Sequence, residues 1–343
     1  MFESINTPTA PNWKLRLVLG LTAFALAAAF VWIWRMTQMP IRSYREPLPP
    51  LSASQAELAQ ALKGHVIHLS VDIGERNIQT RGSLQATEDY IRRNLDSAGY
   101  MVTAEAYAVE GHAVENLEAQ LTGTMPAEGT VIVGAHYDSV EGTVGADDNA
   151  TGVAAVLELA RMLRAAKPRR TVRFVFFVNE EPPYFQSDRM GSLVYARQLR
   201  RDHVPVSAMI SLEMLGFYSD SPGSQKYPSG LGWFYPSQGN FVGFVANSQS
   251  RDLVRHAVRQ FRESAQFPSE GIAAPASWPG VGWSDQWSFW QQEYPAIMIT
   301  DTAVFRYPYY HTPYDKHAKL DFGRMARVVE GIRSVIASLA NEP

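Results

Sequence analysis

The sequence predicts an α/β fold: a three-layer α/β/α domain with a mostly parallel, mixed central sheet, preceded by one transmembrane helix. Three observations carry this. Short apolar runs bounded by glycine or charge recur along the chain, as strands buried on both faces do. They alternate with stretches whose apolar residues return every three or four positions, the pattern of a helix with one buried face. An uncharged apolar run, Leu17 to Trp34, stands apart near the N-terminus.

That run is eighteen residues long, nearly enough helix to cross a hydrocarbon core of about 30 Å. Lys14 and Arg16 precede it and Arg35 follows, with Trp13, Trp32 and Trp34 placed at its ends as interfacial aromatics are. A cleaved signal peptide is the competing reading, with Ala25, Ala27 and Ala29 as small residues for a cleavage site. The apolar run continues past them to Trp34, too far for an ordinary signal core, which favours an uncleaved anchor. The chain therefore divides into a short tail (1–16), a transmembrane anchor (17–36), a Pro-rich linker (37–52) and one domain (53–343). Basic residues flank the anchor almost equally. The domain is expected on the extracytoplasmic side of a single-pass membrane protein, because long domains translocate largely regardless of charge.

Met39-Pro40 and Pro47-Leu-Pro-Pro-Leu51 read as a semi-rigid spacer. Ser52 to Leu62 and Ser83 to Ala98 read as helices, the second with Leu84, Tyr90, Ile91 and Leu95 on one face. Tyr100 to Val109 and Val114 to Leu121 read as strands. A strand ending at His136 follows, and after it the helix pattern Val153 to Leu163. Then come a strand (Arg170 to Val178), a helix (Arg189 to Arg200) and a strand (Val206 to Leu212). Gly216 to Gly239, rich in Gly, Ser, Pro and Tyr, reads as a loop. Helices at Arg251 to Phe261 and Ser284 to Gln291, a strand at Ala296 to Thr300 and a closing helix at Asp321 to Leu339 complete the domain.

The chain has 343 residues, 46% of them hydrophobic, ample for a sizeable core. A net charge of −3 without a basic stripe argues against a nucleic-acid partner. The absence of cysteine excludes disulfides, thiolate ligands and a cysteine nucleophile. Oligomeric state leaves no signal in the sequence.

Polar residues gather where the apolar strands end. Val131 to Ala135 leads into His136-Tyr-Asp138; Phe174 to Val178 into Asn179-Glu180-Glu181; Met209 to Leu212 into Glu213; and Ile297 to Thr300, through an aromatic loop, to His311. Open α/β sheets place their sites at such strand ends. Gly145-Ala-Asp147-Asp148-Asn149 stands at a helix start, where Asn149 or Thr151 can cap and the dipole favours negative charge. Each charge alone reads as a solvated loop residue, but four equivalent strand ends are hard to explain that way. His136, Asp148, Glu181, Glu213 and His311 form a nitrogen and oxygen set without sulfur, suited to two divalent cations sharing a carboxylate, with zinc favoured by the two histidines.

The motifs H-Y-D-S, G-A-D-D-N-A-T-G, N-E-E-P and the final H-T occur in an order that resembles the co-catalytic di-zinc exopeptidase family. That family includes bacterial leucyl aminopeptidases, glutamate carboxypeptidase II and the glutaminyl cyclases, and the resemblance covers roughly residues 60 to 340. It implies two Zn2+ per chain. Asp148 would bridge, His136 and Glu213 would complete one site, and Glu181 and His311 the other. Glu180 would be the general base and Asp138 the residue that orients His136; Asp147 would not be a ligand. This sequence departs from the family in carrying glutamate at position 213, where the aminopeptidases have aspartate. Ser284-Asp285-Gln286 stands for their S-D-H. An oxyanion-stabilising tyrosine is not fixed by spacing, and Tyr218, Tyr307, Tyr309 and Tyr310 are the candidates.

Two such metals hold and activate a water and polarise the substrate carbonyl. The aromatic group Trp278, Trp283, Trp287, Phe289 and Trp290 reads either as core or as the wall of a side-chain pocket. A carboxypeptidase needs fixed cations for a terminal carboxylate, and only Arg189 and Arg306 lie near the motifs; an N-terminal ammonium needs carboxylates, and Asp147, Asp285 and Asp301 are at hand. The expectation is a membrane-anchored, zinc-dependent exopeptidase acting on peptide substrates as an aminopeptidase, held at a lipid bilayer by its N-terminal helix. The alternatives are a glutaminyl cyclase-like, single-zinc acyltransferase and a catalytically silent binding ectodomain.

Overall fold

The computed structural model describes residues 13–80, 82–228 and 230–342, and the chain separates into two units, 1–38 and 39–343. The described part of the first unit is a single helix, α1 (Trp13–Thr37), 25 residues long. It is long and apolar enough to cross a membrane. Most of the expected tail, up to residue 12, lies outside the described residues.

The second unit is built on an eight-stranded sheet. In chain order its strands are β1 (Val102–Val109), β2 (His112–Leu121), β3 (Thr130–His136), β4 (Thr171–Phe177), β5 (Val206–Glu213), β6 (Val242–Asn247), β7 (Ser269–Ala274) and β8 (Ala296–Thr300). Across the sheet they run β1-β2-β4-β3-β5-β8-β6-β7. The four in the middle, β4, β3, β5 and β8, are parallel to one another, and antiparallel pairings join them to β2 on one side and β6 on the other. All seven residues of β3 and all five of β8 are buried, which is why both read as continuous apolar runs.

Helices α2 (Ala53–Ile67), α4 (Ala150–Leu163), α6 (Arg251–Ser264) and α8 (Phe322–Asn341) pack against one another as one layer, with α3 (Ser83–Ser97) against α4; α5 (Gly191–Arg201) and the short α7 (Gln286–Trp290) pair as another. The three-layer expectation holds. Ser52 caps α2 in a capping box with Gln55, and Asn149 caps α4 by accepting the Gly152 N–H. A Cβ at Gly152 would collide with the Leu212 carbonyl, so glycine there lets α4 sit directly on β5.

Two strands were not expected. β6 begins straight after the Gly/Ser/Pro-rich loop and is interrupted by Gly243, while β7 reads Ser-Glu-Gly-Ile-Ala-Ala, with Ile272 its one β-branched residue. The Pro-rich segment, expected as a semi-rigid spacer ahead of the domain, is for the most part not separate from it. From Met39 onward it is part of the second unit and is bonded within it: Arg262 donates to the Pro40 and Ile41 carbonyls, Ser43 Oγ accepts the Ser269 N–H, and Arg327 donates to the Pro49 carbonyl.

Candidate metal centre

Because β4, β3, β5 and β8 are parallel neighbours, their carboxyl ends share one edge, and that edge carries His136, the Glu180–Glu181 turn, Glu213 and the loop to His311. Asp148 reaches the same place from the turn before α4, where its peptide bond to Asn149 is cis. One atom each from His136, Asp148 and Glu213 lies within 4.8 Å of the others, and so does one each from Asp148, Glu181 and His311. Asp148 is common to both groups. Its Oδ1 is 3.4 Å from His136 Nε2 and its Oδ2 is 3.2 Å from His311 Nε2. Glu213 Oε2 stands 3.3 Å from His136 Nε2, and Glu181 Oε2 stands 3.2 Å from His311 Nε2.

These residues fit a cation. The Nε2 atoms of His136 and His311 are buried and make no hydrogen bond among the described residues. Neutral imidazole nitrogens and carboxylate oxygens both present lone pairs, so such a cluster needs positive charge at its middle. In the bare protein protons supply it. Burial opposes charging His136, yet Glu180, Glu213, Asp138 and Asp148 raise its pKa well above normal. His311, likewise opposed by burial, is raised to about 10 by Asp148 and Glu181. A divalent ion bound by the same atoms would displace those protons.

The surrounding residues hold the donors in place. His136 Nδ1 lies 3.2 Å from the Asp138 carbonyl and 3.5 Å from Asp138 Oδ1, which puts its N–H on that side and turns Nε2 to the centre. Asp138 also accepts the backbone N–H groups of Glu180 and Glu181, at 3.1 Å each. Ser284 donates to Glu213 Oε2 at 2.6 Å. Glu180 Oε2 is 3.8 Å from His136 Nε2, and burial, then Glu213, Glu181 and Asp285, drive its pKa well above the carboxylate range against the pull of His136.

Sequence reading missed two supports. Asp315 accepts the N–H groups of Asp147 and Asp148 at 2.9 and 3.2 Å, fixing the turn that presents Asp148. Arg76, fully buried, spans the neighbouring loop by donating to the carbonyls of Tyr137, Val144 and Gly145. A lone arginine and a loop aspartate carry no local mark of burial, so neither stands out in the sequence. Asp147 Oδ1 accepts the Gly216 N–H at 2.9 Å.

Of the four candidate tyrosines, Tyr310 is the one at the centre. Its ring stacks on the His311 imidazole at 3.8 Å, and burial followed by the Asp148, Glu181, Glu180 and Glu213 charges raises the phenol, keeping it a proton donor. Tyr218 donates to the Leu215 carbonyl and Tyr307 to Asp315, while Tyr309 lies under Lys319. The aromatic group divides. Trp278 and Trp283 line a cavity of about 920 Å³, its mouth included, that also touches Glu213 and Tyr310. Phe289 and Trp290 belong to the core, and Trp287 is half-buried.

Residues 116–336 match the family described as Peptidase family M28. The chain is 37% identical over 300 residues to YfbL, an uncharacterized protein of Escherichia coli (strain K12), with 84% of this chain and 90% of that one covered. It is 27% identical over 261 residues to a probable leucine aminopeptidase of Arthroderma otae, with 69% of this chain and 63% of that one covered. Among solved structures it is similar to a zinc aminopeptidase from Bacillus subtilis, with a TM-score of 0.65 and 13% identity, covering 83% of this chain and 95% of that one. It is also similar to glutaminyl cyclase from Tannerella forsythia, with a TM-score of 0.60 and 21% identity, covering 83% of this chain and 99% of that one. These two likenesses are of fold. With more than half of its length matched and a 37% identical relative covered almost end to end, the chain belongs to peptidase family M28.

Proposed function

We propose that the protein is a zinc-dependent aminopeptidase, anchored in a membrane by α1 with its peptidase domain on the extracytoplasmic side. The observation that carries this is the pair of three-residue donor groups that share Asp148 at the carboxyl edge of the sheet, beside an apolar cavity. His136, Asp148 and Glu213 would hold one ion, and Asp148, Glu181 and His311 the other. Nitrogen and oxygen donors with two histidines suit zinc. When bound, the two ions supply Lewis acidity and lower the pKa of a water.

The remaining roles fall to this chain's own groups. Glu180, buried and with a raised proton affinity, holds the proton lost by the attacking water and passes it to the leaving amine. Asp138 keeps His136 and the Glu180–Glu181 turn aligned. Tyr310 donates its O–H to the oxygen that gains charge as the carbonyl is attacked.

Charge placement favours a free amine over a free carboxylate as the recognised terminus. Arg189 is exposed and paired with Glu110, and Arg306 is buried with bonds to Gln225 and the Phe217 carbonyl. Lys226 is the one cation among the described residues lining the cavity, which also presents Glu213 and Glu270. Asp301, like Asp147, is engaged by backbone N–H groups, which leaves Asp285, a charge felt by both Glu180 and Glu213, as the spare carboxylate. The test is to offer the zinc-loaded protein a peptide with a free N-terminus and its N-acetylated twin. Release of the first residue from the free peptide alone is expected; comparable cleavage of the blocked peptide overturns the reading, and cyclisation of an N-terminal glutamine without hydrolysis replaces it with an acyltransferase.

A further inference from the structure

The cavity beside the candidate metal centre runs from Glu213 and Tyr310 to a far wall made by the edge strand β7, where Glu270, Gly271 and Ile272 line it. Side chains alternate across a strand, so Glu270 and Ile272 lie on one face of β7, and Ser269, Gly271 and Ala273 on the other. The segment that follows the apolar helix wraps this edge, with Met39 on the Gly271 face and residues 41–45 beside Glu270. A Cβ at Gly271 would come within 2.8 Å of Met39 Cγ and 3.1 Å of Val258 Cγ2, so the glycine makes the slot that Met39 and α6 fill. Ser43 Oγ accepts the Ser269 N–H at 2.9 Å. Arg262 binds both sides at once: it donates to the Pro40 and Ile41 carbonyls at 3.2 and 2.7 Å and to the Ser269 carbonyl, and it lies 3.6 Å from Glu270. From inside the cavity Tyr235 closes the clamp by donating to the Gly271 carbonyl at 2.8 Å.

We propose that residues 39–48 form a strap that fixes β7 through Met39, Ser43 and Arg262, and thereby sets the depth of the cavity and the size of N-terminal side chain accepted. The strap residues are positioning residues: none touches the substrate, and they act through Glu270 and Ile272. This rests on the aminopeptidase reading for the identity of the cavity's occupant. Among the described residues β7 is an edge strand paired with β6 alone; Arg262 and Tyr235 hold its Ser269 and Gly271 carbonyls, and the strap adds Ser43 on the Ser269 N–H and Met39 against Gly271.

The experiment uses the full-length protein and compares Met39→Ala, Met39→Leu, Ser43→Ala and Gly271→Ala with the parent, on phenylalanyl and alanyl peptides. In Met39→Ala, KM for the phenylalanyl peptide should rise about tenfold, while KM for the alanyl peptide, with its smaller side chain, should move less than about twofold; Gly271→Ala, whose added Cβ would displace Met39, should raise the phenylalanyl KM likewise. Ser43→Ala should give a smaller shift of the same kind. Met39→Leu, close in volume, should restore the parent ratio. Equal changes for both peptides, or a lowered melting temperature with an unchanged ratio, would overturn the proposal and leave the strap a purely structural contact. Calorimetric binding of phenylalaninamide to the metal-free protein separates the two readings. Weaker binding by Met39→Ala supports the strap even if no peptide is cleaved, and unchanged binding overturns it even if every peptide is.

Discussion

Asp138 receives the backbone N–H of Glu180 at 3.1 Å through Oδ1, while the same oxygen stands 3.5 Å from His136 Nδ1. One buried carboxylate therefore aligns a candidate ligand on β3 and the turn that ends β4. Asp138→Asn removes the charge and sets an amide N–H₂ against one of these donors. The expected result is a loss of about 10–100-fold in zinc affinity or in kcat/KM, with the fold retained. Zinc titration against a competing chelator, run beside kinetics, reads both; unchanged values in each would show that Asp138 orients nothing that matters.

Glu180 and Glu181 are adjacent in sequence yet differ in what they face. Glu181 Oε2 is 3.2 Å from His311 Nε2 within a ligand group, whereas Glu180 stays 3.8 Å from the nearest imidazole and outside both groups. Glu180→Gln should keep both zinc ions and lose about 10²–10⁴-fold in kcat. Glu181→Gln should lose metal as well as activity. Metal analysis of the two purified variants decides, and equal metal loss in both would remove the division of labour.

How far the sequence could be read follows from what each residue's environment leaves in its neighbours. Strands buried on both faces are mostly apolar: β3 and β8 are wholly buried, and β4 and β5 are buried except at Arg173 and Ser207, so all four are visible in the sequence, and with them the polar residues at their ends. β7 was invisible because its glycine makes sense only against Met39, more than 200 residues away in the chain. Tyr310 could not be told from Tyr307 or Tyr309 by spacing, since what separates them is the stacking of one ring on His311. Asp315 and Arg76 were missed for the same reason: both satisfy backbone groups of distant loops, and no periodicity records that.

Removing metal should make stability depend on pH with a definite sign. In the bare protein, burial and then Asp148 raise Glu181 to about 7, and burial raises Asp301 and Asp315 to about 6. A carboxyl raised on folding contributes stability that is full below its unfolded pKa and is lost as pH rises through the folded value. His311, raised to about 10, acts in the same direction at higher pH. The metal-free protein should therefore lose melting temperature between about pH 5 and pH 8, and the gain on adding zinc should grow over the same range as the ion displaces protons. Thermal melts at four pH values, with zinc and with chelator, test this; a gain from zinc that shrinks with rising pH would contradict it.

The last prediction concerns where the chain can be cut. Leu19, Leu21, Phe24 and Leu26 of α1 are exposed, so in water the helix would carry apolar surface along its length, and the full chain should remain with membranes after high-salt and alkaline washes and leave only with detergent. A chain beginning at Met39 loses the helix and keeps every contact of the strap, and it should be soluble and fully folded. A chain beginning at Leu51 loses the Pro40 and Ile41 carbonyls from Arg262, the Ser43 hydroxyl from Ser269 and the Pro49 carbonyl from Arg327. Arg262 is largely shielded from solvent, so its lost partners are not all replaced by water. At about 1 kcal/mol for each such bond, the shorter chain should melt about 5 °C or more below the longer one. Equal melting temperatures would mean the strap contributes nothing to stability, and release of the full chain by salt alone would show that α1 does not anchor it.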